Sequence, residues 1–324
     1  MRMKKIAVMT SGGDAPGMNA GIRAVTRTAL QKGLEVVGIY RGYQGMIEGD
    51  FIPLDRFRVS NIIQRGGTFL KTARSEEFRT VEGRAKAAAH LKKEGIEALV
   101  VIGGDGSFRG AAALHAEHGI QVVGCPGTID NDLYGTDYTI GYDTAVNTAV
   151  QAIDQIRDTA DSHNRLFFVE VMGRDAGFIA LRTGLASGAE SVLVPETTTY
   201  IDELITKLEE GRKLKKASAI IIVAEGDDEG GALDIAKKVN EKFDAWETKV
   251  TVLGHIQRGG SPTAFDRILA SRMGNSAVEA LLKGSTNVMI GQRNNEMVEV
   301  PFTQASKHHE TLNPHLLELV EILS

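Results

Sequence analysis

Two short apolar runs, each followed by a glycine-rich acidic loop, constrain the fold of this 324-residue chain more than any other feature. Residues 98–102 (ALVVI) precede the loop GGDGS at 103–107, and residues 120–123 (IQVV) precede GCPGTIDND at 124–132. Such runs predict buried strands, and loops that leave the carboxyl ends of adjacent parallel strands meet at one edge of an open α/β sheet. Glycines that admit phosphate, with carboxylates for a metal ion or a proton, are what phosphoryl transfer needs.

Apolar runs and helical patterns alternate along the chain, which predicts an α/β fold with parallel strands joined by helical crossovers. The length favours two domains, with a first break near residues 138–142 and a late turn at 253–262 that returns the chain to the first domain. The tail after Pro301 is expected to be less regular than the rest of the chain. The strands are predicted at 6–9, 34–40, 98–102, 122–123, 166–171, 192–194, 220–223 and 250–253, and the helices at 18–32, 85–94, 143–159, 176–186, 201–214, 233–243 and 265–282.

The composition excludes several classes of protein. A hydrophobic fraction of 42%, a charged fraction of 24% and a net charge of −5 are typical of a globular protein and do not fit a nucleic-acid-binding one, which is usually basic. Cys125 is the single cysteine, so no internal disulfide forms and a reducing compartment fits. Only residues 6–9 are apolar after the basic start, too few for a signal peptide, and no run is long enough to cross a membrane. We expect a cytoplasmic protein.

Three loops carry the candidate catalytic and binding residues, and each of them can alternatively have a purely structural role. Residues 10–19 (TSGGDAPGMN) bind an anion at a helix N-terminus or form only a tight turn. Asp105 in GGDGS holds Mg²⁺ beside substrate phosphates or caps a helix. Asp130 and Asp132, two residues apart, point the same way if the backbone is extended, so that one is a base and the other shapes the electrostatics. Alternatively, Asp-Asn-Asp forms a polar turn.

Arginines in glycine-rich contexts form a fourth group. Guanidinium groups bind phosphate with two parallel hydrogen bonds, although any one of these arginines can equally be a surface charge. The members of the group are Arg74, Arg165, Arg174 and Arg258.

The motifs together carry a resemblance to a known family. SGGDAPGMN, GGTFLKTAR, GGDGS, PGTIDND, MGR and GHIQRGGSP stand in the order and spacing of the bacterial ATP-dependent 6-phosphofructokinases, from the start to about Pro301. The resemblance implies two Rossmann-like three-layer domains with largely parallel sheets and an active site in the cleft between them. The ATP-binding domain would comprise 1–140 plus 256–303, and the sugar-phosphate-binding domain 141–255 plus 304–324.

The resemblance also implies transfer of the γ-phosphoryl group of Mg·ATP to the 1-hydroxyl of fructose 6-phosphate. Asp130 would be the base, assisted by Asp132, with Thr128 and Arg174 completing the catalytic set and Asp105 binding Mg²⁺. ATP would be held by Gly13, Arg74, Gly104, Asp105, Gly106 and Ser107. The sugar phosphate would be bound by Thr128, Ile129, Asp130, Met172, Gly173, Arg174, Glu225, His255, Ile256, Gln257 and Arg258, and by Arg165 and Lys249 from a neighbouring subunit of a homotetramer.

Two glycines indicate the phosphoryl donor. Pyrophosphate-dependent relatives resemble GGDDS and PKTIDND at these loops, whereas Gly106 and Gly127 here leave room for a nucleotide's α-phosphate. ATP is therefore the expected donor, and the alternatives are a pyrophosphate-dependent enzyme or a catalytically silent nucleotide sensor on the same fold.

The chain departs from the family pattern in two places. Lys249 stands where an arginine is usual, so it keeps the charge but loses the bidentate fork. The effector site, where ADP or GDP activates and phosphoenolpyruvate inhibits in the family, has Asn61 in place of an aspartate and lacks a histidine at 215–218, which predicts altered or weak control. Its matching residues are Arg23, Arg27, Arg56, Arg157, Glu190 and Lys216.

Overall fold

The computed structural model describes residues 3–305 and 312–324. The strands of this part of the chain are β1 (Lys5–Thr10), β2 (Glu35–Ile39), β3 (Phe51–Leu54), β4 (Ala98–Gly103), β5 (Gln121–Pro126), β6 (Arg165–Val171), β7 (Ser191–Leu193), β8 (Ala219–Ala224), β9 (Glu247–Val252), β10 (Val288–Arg293) and β11 (Glu296–Pro301). The α-helices are α1 (Met18–Gln31), α2 (Gly42–Glu48), α3 (Val81–Lys93), α4 (Asp105–His118), α5 (Tyr142–His163), α6 (Phe178–Ser187), α7 (Ile201–Lys213), α8 (Ala232–Asn240), α9 (Ala264–Lys283) and α10 (Pro314–Leu323).

The α/β class with largely parallel sheets is confirmed. Every predicted strand and helix has an observed counterpart, with ends that shift by a few residues. No counterpart was predicted for α2, β3, α4 or the β10–β11 hairpin. The tail also carries an unpredicted helix, α10, which begins at Pro314 behind an Asn313 cap that accepts the His315 N–H. Residues 306–311 of that tail lie outside the described residues.

The chain divides into two compact units. The first unit comprises Met1–Ile129, Leu133–Thr144 and Arg258–His308, and the second comprises Asp130–Asp132, Ala145–Gln257 and His309–Ser324. The assignment of the two predicted domains to ATP and to sugar phosphate stays a prediction.

The first unit contains a seven-stranded sheet in the order β11-β10-β5-β4-β1-β2-β3. The five central strands run parallel, and the edge strands β3 and β11 are antiparallel to their neighbours. The register pairs Thr10 with Ile102 and Gly103 with Pro126, so that β1, β4 and β5 end at one level. Strand order reverses beside β1, which is the place where ligands bind in open α/β sheets.

The second unit contains a four-stranded parallel sheet in the order β7-β8-β6-β9. Its register pairs Val171 with Ala224, and Glu170 with Val252, so that the carboxyl ends of β6, β8 and β9 are also level. Strand β8 reads AIIIVA and is buried along its whole length, as expected for a central parallel strand. A core that includes Phe168 and Trp246 packs beneath the helices of this unit.

In the described part of the chain, no helix combines the length and the apolar character that crossing a bilayer requires.

A buried carboxylate fixes the start of two helices in the first unit. Asp266, on the first turn of α9, accepts hydrogen bonds from the N–H groups of Gly141 (2.9 Å) and Thr144 (2.8 Å) and from the Thr144 hydroxyl (2.5 Å). The Thr263 hydroxyl in turn accepts the Asp266 N–H and caps α9. Burial raises the pKa of Asp266 to about 6, although these hydrogen bonds oppose the shift.

The raised pKa makes the stability contribution of Asp266 depend on pH. Because the folded state holds this proton more tightly than the unfolded state, the stabilisation is complete below about pH 4 and is lost as the pH rises through 6. We expect the difference in unfolding free energy between the wild-type protein and Asp266→Asn to shrink by about 1 kcal/mol from pH 5 to pH 7.5. Urea unfolding at the two pH values measures this, and a constant or growing difference would contradict it.

Candidate active site

The three predicted loops of the first unit converge at the level ends of β1, β4 and β5. The Gly127 N–H donates to the Gly103 carbonyl (2.9 Å) and the Ser11 N–H to the Ile102 carbonyl (3.0 Å). A Cβ atom on Gly103 would lie 2.6 Å from both the Ser11 carbonyl and the Ser107 hydroxyl. The strand ends therefore approach so closely that only backbone fits between them, and the loops that follow are held together.

Asn19 fixes a fourth loop beside the first. Its amide nitrogen donates to the carbonyls of Arg65 (3.0 Å) and Gly66 (3.2 Å), and its amide oxygen accepts the Phe69 N–H (2.7 Å). The loop GGTFLKTAR leads from there to Arg74, whose side chain is exposed. Sequence reasoning did not assign Asn19 a role, because its three partners are about 50 residues away along the chain.

Arg258 belongs to this unit and lies over the first glycine loop. Its Nη1 would be 2.6 Å from a Cβ atom on Gly13, and it donates to the Asp14 carbonyl at 3.3 Å. A residue that the sequence analysis placed in the sugar-phosphate site thus contacts the loop predicted to hold ATP. Its half-buried guanidinium brings positive charge to that loop.

Asp105 is the first residue of α4, and the N-cap position is occupied by Gly104. The helix-capping alternative for Asp105 is therefore wrong. The Asp105 side chain pairs with Arg109 one turn later, at 2.9 Å between Oδ2 and Nη2. At the first two helical positions, the N–H groups of Asp105 and Gly106 have no acceptor within the helix, which suits an anion.

The residues around Asp105 fit Mg²⁺ only if substrate phosphates supply further ligands. The described residues hold no cluster of three or more His, Cys, Asp or Glu side chains that would bind a metal by itself. Mg²⁺, however, is commonly held by one or two carboxylates together with substrate phosphates. The lone carboxylate of Asp105 beside an anion-binding helix start matches that pattern.

Gly106 and Gly127, the two glycines that indicate ATP as the phosphoryl donor, have different surroundings in the structure. A Cβ atom on Gly106 would meet nothing within 4 Å, so the space at this helix start is open, as predicted. A Cβ atom on Gly127 would lie 2.9 Å from Met18 Cε and 3.0 Å from Ile102 Cγ2. At Gly127 the packing of Met18 and Ile102 therefore leaves little room for a side chain, and the role of this glycine in admitting a nucleotide stays a prediction.

In the second unit the turn after β6 is held by a carboxylate at the end of β8. Glu225 Oε1 accepts the N–H groups of Gly173 (3.3 Å) and Arg174 (2.7 Å). Both residues have positive φ, at 148° and 54°, a conformation that is costly for arginine. A Cβ atom on Gly226 would lie 2.0 Å from the Arg174 carbonyl. Glu225 was predicted to contact the sugar phosphate, and the structure shows it bonded to the turn that presents Arg174.

Gln257 supports the same turn from the short 3-10 helix, Gly254–Arg258, that follows β9. Its side chain is fully buried, and its Oε1 accepts the Met172 N–H at 3.0 Å. Its predicted contact with the substrate stays a prediction. Its neighbours His255 and Ile256 are exposed, whereas Ile129, another predicted substrate residue, is completely buried.

The backbone between the two aspartates is not extended. Asn131 has φ of +56°, so the condition under which Asp130 and Asp132 would point the same way is not met. Asp130 is 4% exposed, and its Oδ2 lies 3.7 Å from Nε of Arg174, whose side chain is 54% exposed. The second unit therefore places the buried carboxylate of Asp130 beside the exposed side chain of Arg174.

Arg165 and Lys249 share one carboxylate. Glu247 faces Arg165 across the β6–β9 pairing and accepts from Arg165 Nε at 2.8 Å, while Lys249 Nζ lies 2.6 Å from its other oxygen. These contacts, with the Lys249 bond the largest contribution, lower the pKa of Glu247 to about 2. The two cations predicted to reach a neighbouring subunit are therefore anchored side by side.

The predicted effector residues fall into two groups. In the first unit Arg23 and Arg27 lie one turn apart on α1, where burial and then the neighbouring charge of Arg27 lower the pKa of Arg23. In the second unit Lys216 pairs with Glu190 at 2.8 Å, beside a cavity of about 670 Å³. Arg157 donates to the carbonyls of Ser187 and Gly188, and Arg56 is exposed. Their role stays a prediction.

Bare-backbone loops for phosphate, a lone carboxylate at a helix start and a buried carboxylate beside an arginine define the class of phosphate-handling α/β enzymes. Comparison with known proteins then gives the family. A model of the family described as phosphofructokinase matches residues 5–281, and the chain belongs to this family.

Two relatives match over almost the whole chain. The ATP-dependent 6-phosphofructokinase 1 of Thermus thermophilus is 59% identical over 322 residues, which cover 99% of this chain and 100% of the relative. The ATP-dependent 6-phosphofructokinase 2 of Bacteroides thetaiotaomicron is 54% identical, with 99% of each chain covered. The family resemblance found in the sequence is thereby confirmed.

Solved structures agree on the fold. A chain of phosphofructokinase from Saccharomyces cerevisiae matches with a TM-score of 0.88 and 38% identity over 99% of this chain, which spans only 46% of the yeast chain. A pyrophosphate-dependent phosphofructokinase from Marinobacter aquaeolei has a TM-score of 0.84 and 22% identity, with 97% of this chain and 86% of that one covered. The second likeness shows the fold alone.

The difference between the two glycines is testable by alanine substitution. We expect Gly106→Ala to leave stability unchanged or to raise it by up to about 1 kcal/mol, because the position is open and helical. We expect Gly127→Ala to lower it by about 1–3 kcal/mol, because the new methyl group overpacks against Met18 and Ile102. Urea unfolding of both variants measures this, and equal stability of the two would contradict the packing difference.

Proposed function

We propose that the chain transfers the γ-phosphoryl group of ATP to the 1-hydroxyl of fructose 6-phosphate, giving fructose 1,6-bisphosphate and ADP in glycolysis. The observation that carries the proposal is the juxtaposition in the first unit of bare-backbone loops at the ends of β1, β4 and β5 with the open helix start at Gly106. The names of relatives at 54–59% identity over their full length support the donor and the acceptor.

Asp130 is the general base of this proposal. Its carboxylate removes the proton of the 1-hydroxyl as the new bond from that oxygen to the γ-phosphorus forms and the bond to the β–γ bridging oxygen breaks. Burial to 4% exposure keeps water away from the carboxylate. Arg174, 3.7 Å away, carries positive charge for the transferred group. Thr128 and Asp132 complete the catalytic set.

The nucleotide phosphates are bound by backbone N–H groups and cations of the first unit. Gly13, Gly104 and Gly106 allow close approach of the phosphates to the backbone, and Ser107 and Arg74 supply polar contacts. Asp105 would hold Mg²⁺, which when bound neutralises the charge that develops on the phosphate oxygens.

The sugar phosphate is bound by the turn 172–174 and by His255, with Arg165 and Lys249 contributed by a neighbouring subunit of a homotetramer. The anchoring of these two cations on Glu247 supports a joint role in binding one phosphate group. ADP or GDP as activator and phosphoenolpyruvate as inhibitor complete the proposed ligands, and initial rates with and without them test that part.

A coupled assay with fructose 6-phosphate tests the function directly. We expect turnover with Mg·ATP and a rate at least about 100-fold lower with Mg·pyrophosphate, since the open space at Gly106 accommodates a nucleotide that pyrophosphate does not fill. Equal or greater turnover with pyrophosphate would favour the pyrophosphate-dependent alternative. Binding of ATP without turnover on either donor would favour the silent sensor.

Substitution of the two aspartates assigns the base. We expect Asp130→Asn to lower kcat by about 10²–10⁴-fold, the usual contribution of a general base, with a small change in KM. The control Asp132→Asn should lose less, because the proposal gives Asp132 only an assisting role. Steady-state rates measure both, and a larger loss in Asp132→Asn would reverse the assignment.

Lys249 is expected to weaken sugar-phosphate binding relative to an arginine at the same place. Lys249→Arg restores a fork that can bind Glu247 and a phosphate at once. We expect the KM for fructose 6-phosphate to fall by about threefold or more, with kcat unchanged. Steady-state kinetics measures this, and an unchanged or higher KM would show that the lysine is no handicap.

A further inference from the structure

Arg109 lies on the same face of α4 as the two residues that the proposed nucleotide site uses. It follows Asp105 by four positions and Gly106 by three, the spacings that bring side chains together on a helix. Its Nη2 is 2.9 Å from Asp105 Oδ2, and the position next to Asp105 on this face, Gly106, is open. The guanidinium therefore stands at the border of the space assigned to the nucleotide.

The pair is unequal in exposure. The Asp105 side chain is 10% exposed and the Arg109 side chain is 76% exposed. Ion pairs with so much solvent around one partner contribute little to stability, so helix stabilisation alone is a weak reason for this contact. The exposed guanidinium retains N–H donors that can turn toward another anion, because its five donors form a rigid fork.

Asp105 cannot serve Arg109 and a metal ion in the same way. Mg²⁺ requires close, near-octahedral oxygen ligands, and the Oδ2 atom of Asp105 is already occupied by the guanidinium in the structure. Glu247 holds two cations on separate oxygens, but a divalent ion on Asp105 would repel the nearby guanidinium more strongly than a single charge does. Mg²⁺ on Asp105 would therefore weaken its pair with Arg109 and leave the guanidinium available to a phosphate of the nucleotide.

We propose that Arg109 is a nucleotide-binding residue that exchanges partners, pairing with Asp105 in the free protein and with a phosphate of the nucleotide when Mg·ATP is bound. This inference rests on the proposed function. In the absence of metal, the guanidinium neutralises Asp105 and so reduces the repulsion between that carboxylate and the nucleotide. Arg109 thus lowers the dependence of nucleotide binding on Mg²⁺.

Calorimetric binding of the β,γ-imido analogue of ATP to Arg109→Met tests the exchange. At saturating Mg²⁺ we expect the Kd to rise by about threefold to tenfold, through loss of one charge-assisted contact. In EDTA we expect a larger rise, so that the ratio of the Kd in EDTA to the Kd in Mg²⁺ grows at least about threefold. Arg109→Lys keeps the charge but not the fork, so its Kd values should lie between those of the wild-type protein and of Arg109→Met. It also replaces Arg109→Met in the test if that variant misfolds.

Arg79→Met is the matched control. Arg79 is 78% exposed and pairs with Glu76 at 3.3 Å within three residues, so this variant removes a similar surface pair and should leave both Kd values unchanged. A Kd of Arg109→Met in Mg²⁺ within twofold of wild type, or an unchanged or smaller ratio, would overturn the exchange. If the wild-type protein does not bind the analogue, both the proposed function and the partner exchange are contradicted. If the wild-type protein binds it and Arg109→Met binds it equally well, only the partner exchange is contradicted.

Discussion

The first unit depends on backbone that packs directly against backbone at the ends of its central strands. The Gly127 N–H reaches the Gly103 carbonyl at 2.9 Å, and any side chain on Gly103 would collide with the Ser11 carbonyl. Because β1, β4 and β5 end at the same level, this contact brings three loops to one edge of the sheet. The nucleotide site that we propose for this unit depends on that convergence, because it brings the glycine-rich loops to one place.

In the second unit, the corresponding turn is held by side chains that accept backbone N–H groups rather than by backbone packed against backbone. The turn after β6 places Arg174 in a left-handed conformation, which costs free energy. Glu225 and Gln257, which follow β8 and β9 in the chain, accept three N–H groups of residues 172–174 and so stabilise the turn. Buried polar side chains that hold the backbone therefore orient the arginine that lies beside Asp130.

Most of the central elements could be predicted because they are long or completely apolar, but the 14-residue helix α4 was missed. The short elements at the edges were missed although some carried signals: Asn294 and Asn295, both at positive φ, form the two-residue turn typical of a hairpin, and Asn313-Pro314 is a helix start. The supporting contacts of Asn19, Gln257 and Asp266 could not be predicted. Each joins residues that are about 50 to 125 positions apart, and only the folded chain shows which distant N–H group a polar side chain meets.

Opposite charges pair with several of the groups that we assign to charged ligands. Ligand binding is then an exchange of partners, in which the free energy of binding is what the new contacts contribute beyond the old ones. A cation that already pairs with a carboxylate gains from a ligand only if the ligand offers a comparable acceptor, and a phosphate group, which accepts charge-assisted hydrogen bonds, does so. A neutral sugar offers no such acceptor and leaves the pairs intact. Under the proposed function, these pairs would therefore favour phosphorylated ligands; they are Asp105–Arg109, Asp130–Arg174, Glu247 with Arg165 and Lys249, and Glu190–Lys216.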